Sequence, residues 1–105
     1  MEYNKLNAIV VALNKRFSNN KTNPYEIITR LTEECGELAK EVNHFENSGI
    51  KRQKHGKPDR MKMAKEVQDV IRCAIQIAKH YSIEKEVKMS IKKSYDELKA
   101  EGYTK

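Results

Sequence analysis

The chain has no hydrophobic run approaching the about 20 residues that a bilayer span requires, so a membrane-embedded protein is not expected. Its start, Met1-Glu2-Tyr3-Asn4, has neither the basic opening nor the apolar stretch of a signal peptide, which points to the cytoplasm. The two cysteines, Cys35 and Cys73, form no C-x-x-C, and both fall inside helical patterns. In a reducing compartment they read as free thiols at or near a core, not as a disulfide or redox pair. No segment repeats, and no alternating pattern suggests a strand. At 105 residues one domain covering 1–105 is expected, with a thin core of the kind that oligomerisation completes.

What the sequence does have is helical periodicity. Leu6, Ile9, Val10, Leu13 and Phe17 recur at three and four, predicting a first helix over roughly 4 to 18. The polar cluster from Ser18 to Asn23 ends it. Asn23 can cap a second helix, with Pro24 at its first position and Glu26 closing a capping box. That helix is predicted to run to about Asn47, with Ile28, Leu31, Cys35, Leu38, Val42 and Phe45 as its apolar stripe. Pro58-Asp59 opens a third helix, to about Tyr81, on a stripe of Met63, Val67, Val70, Ala74, Ile77, Ala78 and Tyr81. Ser82 breaks and recaps the chain. A fourth helix follows with Ile83, Val87, Ile91, Tyr95 and Leu98, and Gly102 stops it. Four amphipathic helices with short connections predict an all-α, antiparallel four-helix bundle-like fold.

Two of these helices carry acids beside their stripes: Glu33, Glu34, Glu37 and Glu41 on the second, Glu66 and Asp69 on the third. At about 100° per residue, the acids of both helices flank the stripe on the same rotational side. In an antiparallel hairpin like flanks meet. Counted from the connecting loop, Glu34 and Glu37 lie about 10 to 13 residues in, and Glu66 and Asp69 about 7 to 10, which brings them to similar heights at about 1.5 Å per residue. Four carboxylates in two i, i+3 pairs are thus expected to converge. Such a cluster raises its own pKa values and repels itself. Hard divalent cations with oxygen ligands, Mg²⁺ with Mn²⁺ as a substitute, relieve it, and the lack of histidine argues against zinc. Taken singly, each acid also fits a solvated face paired with Lys40, Lys65 or Arg72.

Glu33-Glu34-Cys35-Gly36-Glu37 followed by Glu66-Val67-Gln68-Asp69 resembles the E-E-x-x-E … E-x-x-D pattern of the MazG-like, all-α nucleoside triphosphate pyrophosphatases. The similarity runs from about Ile27 to Leu98 and takes in Leu31, Leu38 and Val70 around the motifs. The resemblance implies hydrolysis of a nucleoside triphosphate between its α and β phosphates, giving a monophosphate and pyrophosphate, with nucleotide-pool cleansing as the role. It implies that Glu34, Glu37, Glu66 and Asp69 hold Mg²⁺, and that Glu33 is an accessory acid acting with Glu37 in catalysis. Metal ions would neutralise the triphosphate while a held water attacks phosphorus in line. Relatives form homodimers or homotetramers with sites at subunit contacts. Many also carry a lysine and an asparagine in the last helix. Here that region has Lys88 and Lys92 as phosphate-binding candidates and no asparagine.

The basic segment 48–59, with Lys51, Arg52, Lys54, His55 and Lys57, suits a net charge of +6 and a phosphate-bearing partner. Lys54 joins the phosphate-binding candidates. The segment also fits a solvated loop, or an electrostatic footprint for nucleic acid, although it lacks the interleaved aromatics that stack bases. The alternative to an enzyme is therefore a non-catalytic basic helical module binding nucleic acid or a protein partner. Glu41-Val42-Asn43-His44 is half of a di-iron signature, but no second E-x-x-H exists, and His44 reads as a surface or interface residue. Phe17 and Tyr25 read as core. Gly36, costly by about 1 kcal/mol inside a helix, suggests close approach of a neighbouring helix.

Overall fold

The computed structural model describes residues 3–16, 23–46 and 56–105. Among these are four helices and no strand: α1 (Tyr3–Arg16), α2 (Pro24–Phe45), α3 (Arg60–His80) and α4 (Glu84–Ala100). The all-α expectation holds, with boundaries within two residues of those predicted wherever the chain is described. Asn23 caps α2 as its sequence promised, its side chain accepting from the Glu26 amide at 2.8 Å, with Pro24 in the first turn. Asp59 does the same for α3, accepting from the Met61 amide at 2.8 Å. Each cap satisfies an amide that the helix itself leaves without a partner.

The joint between α3 and α4 works differently from the prediction. Ser82 does not cap α4; Ile83 holds that position and makes no side-chain cap bond. Ser82 instead takes a left-handed conformation, φ 55, and ends α3. Its amide donates to Lys79 O at 3.1 Å, and the Ile83 amide to Ala78 O at 2.9 Å. This is a Schellman motif with serine where glycine is usual. The end of α4 repeats it with Gly102, φ +84, whose amide reaches Lys99 O while that of Tyr103 reaches Leu98 O.

The main packing is between α2 and α3. His44 meets Gly56, and Glu34 meets Glu66; each pair is equidistant from residue 50, as an antiparallel hairpin demands. α1 lies against α3, burying Leu6 and Val10 with Ile75 and Ile71. A part-buried polar bridge, Gln76 Nε2 donating to Asn14 Oδ1 at 3.4 Å, ties the same two helices.

The buried face of α2 differs from the predicted stripe. Ile27 is 1% exposed, and Glu41 and His44 are buried, whereas Ile28, Cys35 and Val42 are exposed. The α2 helix is rotated toward its acidic flank, because α3 takes that side. An outer apolar row is left facing solvent. His44 is thus not a surface residue: its Nε2 donates to the Gly56 carbonyl at 2.6 Å, at a left-handed glycine with φ +73. Tyr25 is not core either, at 80% exposure. Of the two thiols, Cys73 is fully buried and Cys35 exposed. Within one copy of the chain no neighbouring helix approaches Gly36 closely, since a Cβ there would have nothing within 4 Å. Phe17 lies outside the described residues.

Candidate functional site

The rotation of α2 toward α3 carries Glu34 into the interface and gives the chain an acidic centre. One oxygen from each of Glu34, Glu66 and Asp69 lies within 4.8 Å of the others. Glu66 and Asp69, three apart on α3, present to the same side, and Glu34 reaches them from α2. All three are partly buried. The Glu66 carboxyl is held above the ordinary range first by desolvation, then by a hydrogen bond with Glu34, then by the charges of Glu34, Asp69 and Glu37. Its Oε2 is buried with no hydrogen-bond partner. A buried acceptor without a partner is costly, and here it points into a nest of other acceptors. A proton, a donor such as an ordered water, or a cation would satisfy such an arrangement, and a cation would also offset the clustered negative charge.

The surrounding cations are arranged unevenly. Asp69 Oδ1 takes Lys65 Nζ at 2.7 Å and Arg72 Nε at 3.7 Å. Lys65 is largely exposed, Arg72 largely buried. Glu37 stands apart from the three-oxygen cluster: it is half exposed and paired with Lys40 at 3.3 Å, close enough to Glu66 only for its charge to be felt. Glu33 is exposed and lines a shallow cleft beside the start of α2, with Tyr25, Thr29 and Arg30. The solvated-face reading thus fits Glu33 and Glu37 as they stand, and fails for Glu34 and Glu66.

Beneath the cluster sits the buried Cys73. Burial pushes its thiol up; Glu34 and Asp69 add to the shift, and Arg72 and Arg30 oppose it. Arg72 touches the acidic centre through Asp69, and Arg30 is near enough to Cys73 for its charge to be felt there. Arg30 escaped notice in the sequence, although it stands one helical turn before Glu34 in the same row. Its guanidinium has no ion-pair partner among the described residues.

The remaining candidates lie elsewhere. Lys88 and Lys92 are on α4, which does not touch α2. Lys92 is bound to Asp96 at 2.6 Å, and that bond holds its ammonium above the usual lysine value. Lys54 lies outside the described residues.

The donor set is all carboxylate, its members converge, and one buried oxygen lacks a partner. These residues fit a hard divalent cation. A family model for the MazG nucleotide pyrophosphohydrolase domain matches residues 22–100, which takes in α2, α3, α4 and every acid named above. The chain belongs to the MazG nucleotide pyrophosphohydrolase family, and with it to the metal-dependent hydrolases of nucleotides. Neither the curated proteins nor the solved structures contain a match. No helix among the described residues is long and apolar enough to cross a membrane.

Proposed function

We propose that this chain is a single-domain, cytoplasmic nucleoside triphosphate pyrophosphohydrolase, active with Mg²⁺ or Mn²⁺, that removes surplus or unwanted nucleotides as a homodimer or homotetramer. Convergence of Glu34, Glu66 and Asp69 around the unpartnered Glu66 Oε2 carries the reading. These three carboxylates, with Glu37 drawn in from its pair with Lys40, hold the metal. When bound, it offsets the triphosphate's charge and makes phosphorus a better electrophile.

The chain's own residues supply the rest. Asp69 gives up Lys65, an exposed partner whose loss costs little. Arg72 stays and orients Asp69. Arg30, unpaired and one turn from Glu34, donates to phosphate oxygens, for which a guanidinium is suited as a bidentate partner. Glu33 and Glu37 hold the attacking water and accept its proton. The water oxygen bonds to phosphorus as the bridging α–β oxygen departs with pyrophosphate. Lys88 and Lys92 contribute only in an arrangement that brings α4 to an α2 face.

The test is incubation of the purified protein with Mg²⁺ and a panel of ribo- and deoxyribonucleoside triphosphates, including damaged bases. Released pyrophosphate and orthophosphate are measured separately, alongside Glu37→Ala and Asp69→Ala. Monophosphate with pyrophosphate, lost in both variants, is expected. No turnover in folded protein, with salt-sensitive binding to nucleic acid, would favour the non-catalytic basic module instead.

A further inference from the structure

α1 and α2 both have α3 in reach, yet among the described residues they do not touch each other. The strip of α3 between the two contacts is polar. At about 100° per residue, Asp69, Arg72 and Gln76 fall between Ile71 and Ile75, which meet α1, and Glu66, which meets Glu34 of α2. Packing alone would place apolar residues along such a strip. The row begins in the acidic centre at Asp69 and ends two turns on at Gln76, about 10 Å away by the helical rise. That span is on the scale of a nucleoside.

Gln76 is 9% exposed, and its amide is only half satisfied. Nε2 donates to Asn14 Oδ1 at 3.4 Å, whereas Oε1 is buried with no hydrogen-bond partner. Asn7, two turns before Asn14 on the same flank of α1, has a buried Oδ1 in the same condition. Asn14 itself is exposed, so one member of the pair is open to solvent. A buried carbonyl without a donor is unfavourable by itself. The Asn14 contact also fixes the amide: with an Nε2 hydrogen given to Asn14, Gln76 turns its carbonyl the other way and presents an acceptor.

We propose that Gln76, held by Asn14, reads the base of the nucleoside triphosphate by accepting a hydrogen bond from an exocyclic amino group. This rests on the hydrolase reading above and adds a substrate class to it: adenine and cytosine over their oxo counterparts, hypoxanthine and uracil. With the phosphates at the acidic centre, the sugar lies over Arg72 and the base reaches Gln76. An amino group pairs Oε1, whereas an oxo group sets two acceptors against each other. A site built to bond one polar group discriminates strongly against the analogue that lacks it. Gln76 is thus a specificity residue and Asn14 positions it.

Turnover and binding test this separately. With Mg²⁺, kcat/KM should favour ATP over ITP and CTP over UTP by about 10-fold, the effect of leaving one buried acceptor unpaired. Gln76→Met, close in size, should abolish both preferences without lowering the melting temperature followed by circular dichroism, since the unpaired acceptor goes with it. Asn14→Ala should weaken both preferences, and Asn14→Asp, which keeps the acceptor, should retain them. Calorimetry with the uncleavable α,β-imido analogues of CTP and UTP should show the same preference and the same loss in Gln76→Met. Preference in binding without hydrolysis supports the base contact and contradicts the hydrolase. Equal turnover of both members of each pair overturns the proposal and leaves the hydrolase standing. So does a preference that survives Gln76→Met, which would mean that an ordered water alone serves Oε1. Failure of either analogue to bind overturns it as well.

Discussion

The α2–α3 hairpin and α4 treat their apolar and charged residues in opposite ways. The hairpin turns carboxylates inward, burying Glu41 and part-burying Glu34 and Glu66, while it leaves Ile28 and Val42 in solvent. The α4 helix has a regular apolar stripe and buries nothing. On the proposed function, the first is a hairpin that gives up stability for a metal site. In these two regions burial does not follow hydrophobicity alone. Desolvated acids are unfavourable in isolation, and they persist where a cation compensates them.

Paired truncations give the largest contrast. Ile27→Ala removes a side chain that is 1% exposed and should cost about 2–5 kcal/mol in denaturant unfolding. Ile91→Ala, at a position 64% exposed, should change the stability of the chain very little. Equal effects on dilute-chain stability would erase the distinction between the two regions.

A smaller effect is expected at the edge of the acidic centre. Arg30→Gln should raise KM about 10-fold with kcat largely kept, equivalent to losing about 1.4 kcal/mol of ground-state phosphate contact. Steady-state kinetics with one triphosphate measures it, and a fall in kcat at unchanged KM would instead place Arg30 in transition-state stabilisation.

The α3–α4 joint offers a more modest change. Ser82 is left-handed at a position where glycine is strain-free. Ser82→Gly relieves a left-handed penalty of about 1–2 kcal/mol but gives back part of it as chain entropy. A net gain of about 0.5 kcal/mol in chemical unfolding is expected, and a loss would mean that the serine hydroxyl does something at the joint.

The pH dependence of the acidic centre has a definite sign. The Glu66 carboxyl is raised above 4.5 in the folded chain, so the fold binds that proton more tightly than the unfolded chain does. The stability this provides is complete below the ordinary glutamate range and is lost as pH rises through the raised value. In metal-free protein Glu66→Gln should therefore raise the melting temperature at neutral pH and do little in mild acid. Excess Mg²⁺ should stabilise wild type and not the variant.

Much of this architecture is legible in the sequence because its signals are local. The Asn23-Pro24 and Asp59 starts and the Gly102 stop come from short-range hydrogen bonding and φ preference, which nearby residues determine. The rotation of α2 was hidden. Ile27 and Ile28 are equally apolar, and only contact with α3 decides which is covered. The same tertiary choice buried His44, whose partner, the Gly56 backbone carbonyl, is invisible to side-chain pattern. The expected meeting of Glu34, Glu66 and Asp69 followed from helical arithmetic. Glu37, on the same flank, stays half exposed and paired with its own Lys40, a rotamer choice that helical arithmetic does not decide. Arg30 was legible by spacing, but a lone arginine on a charged helix looks like any other until its neighbours are known to leave it unpaired.

Glu34, Glu66 and Asp69 are proposed to form a divalent-cation site. Titration of the purified chain with Mn²⁺, followed by electron paramagnetic resonance of the free ion, tests it without any assumption about substrate. Saturable binding is expected, lost or greatly weakened in Glu66→Gln and Glu34→Gln and strengthened in Lys65→Ala, which frees Asp69. Absence of saturable binding in wild type, or binding that both carboxamide variants retain, would contradict it.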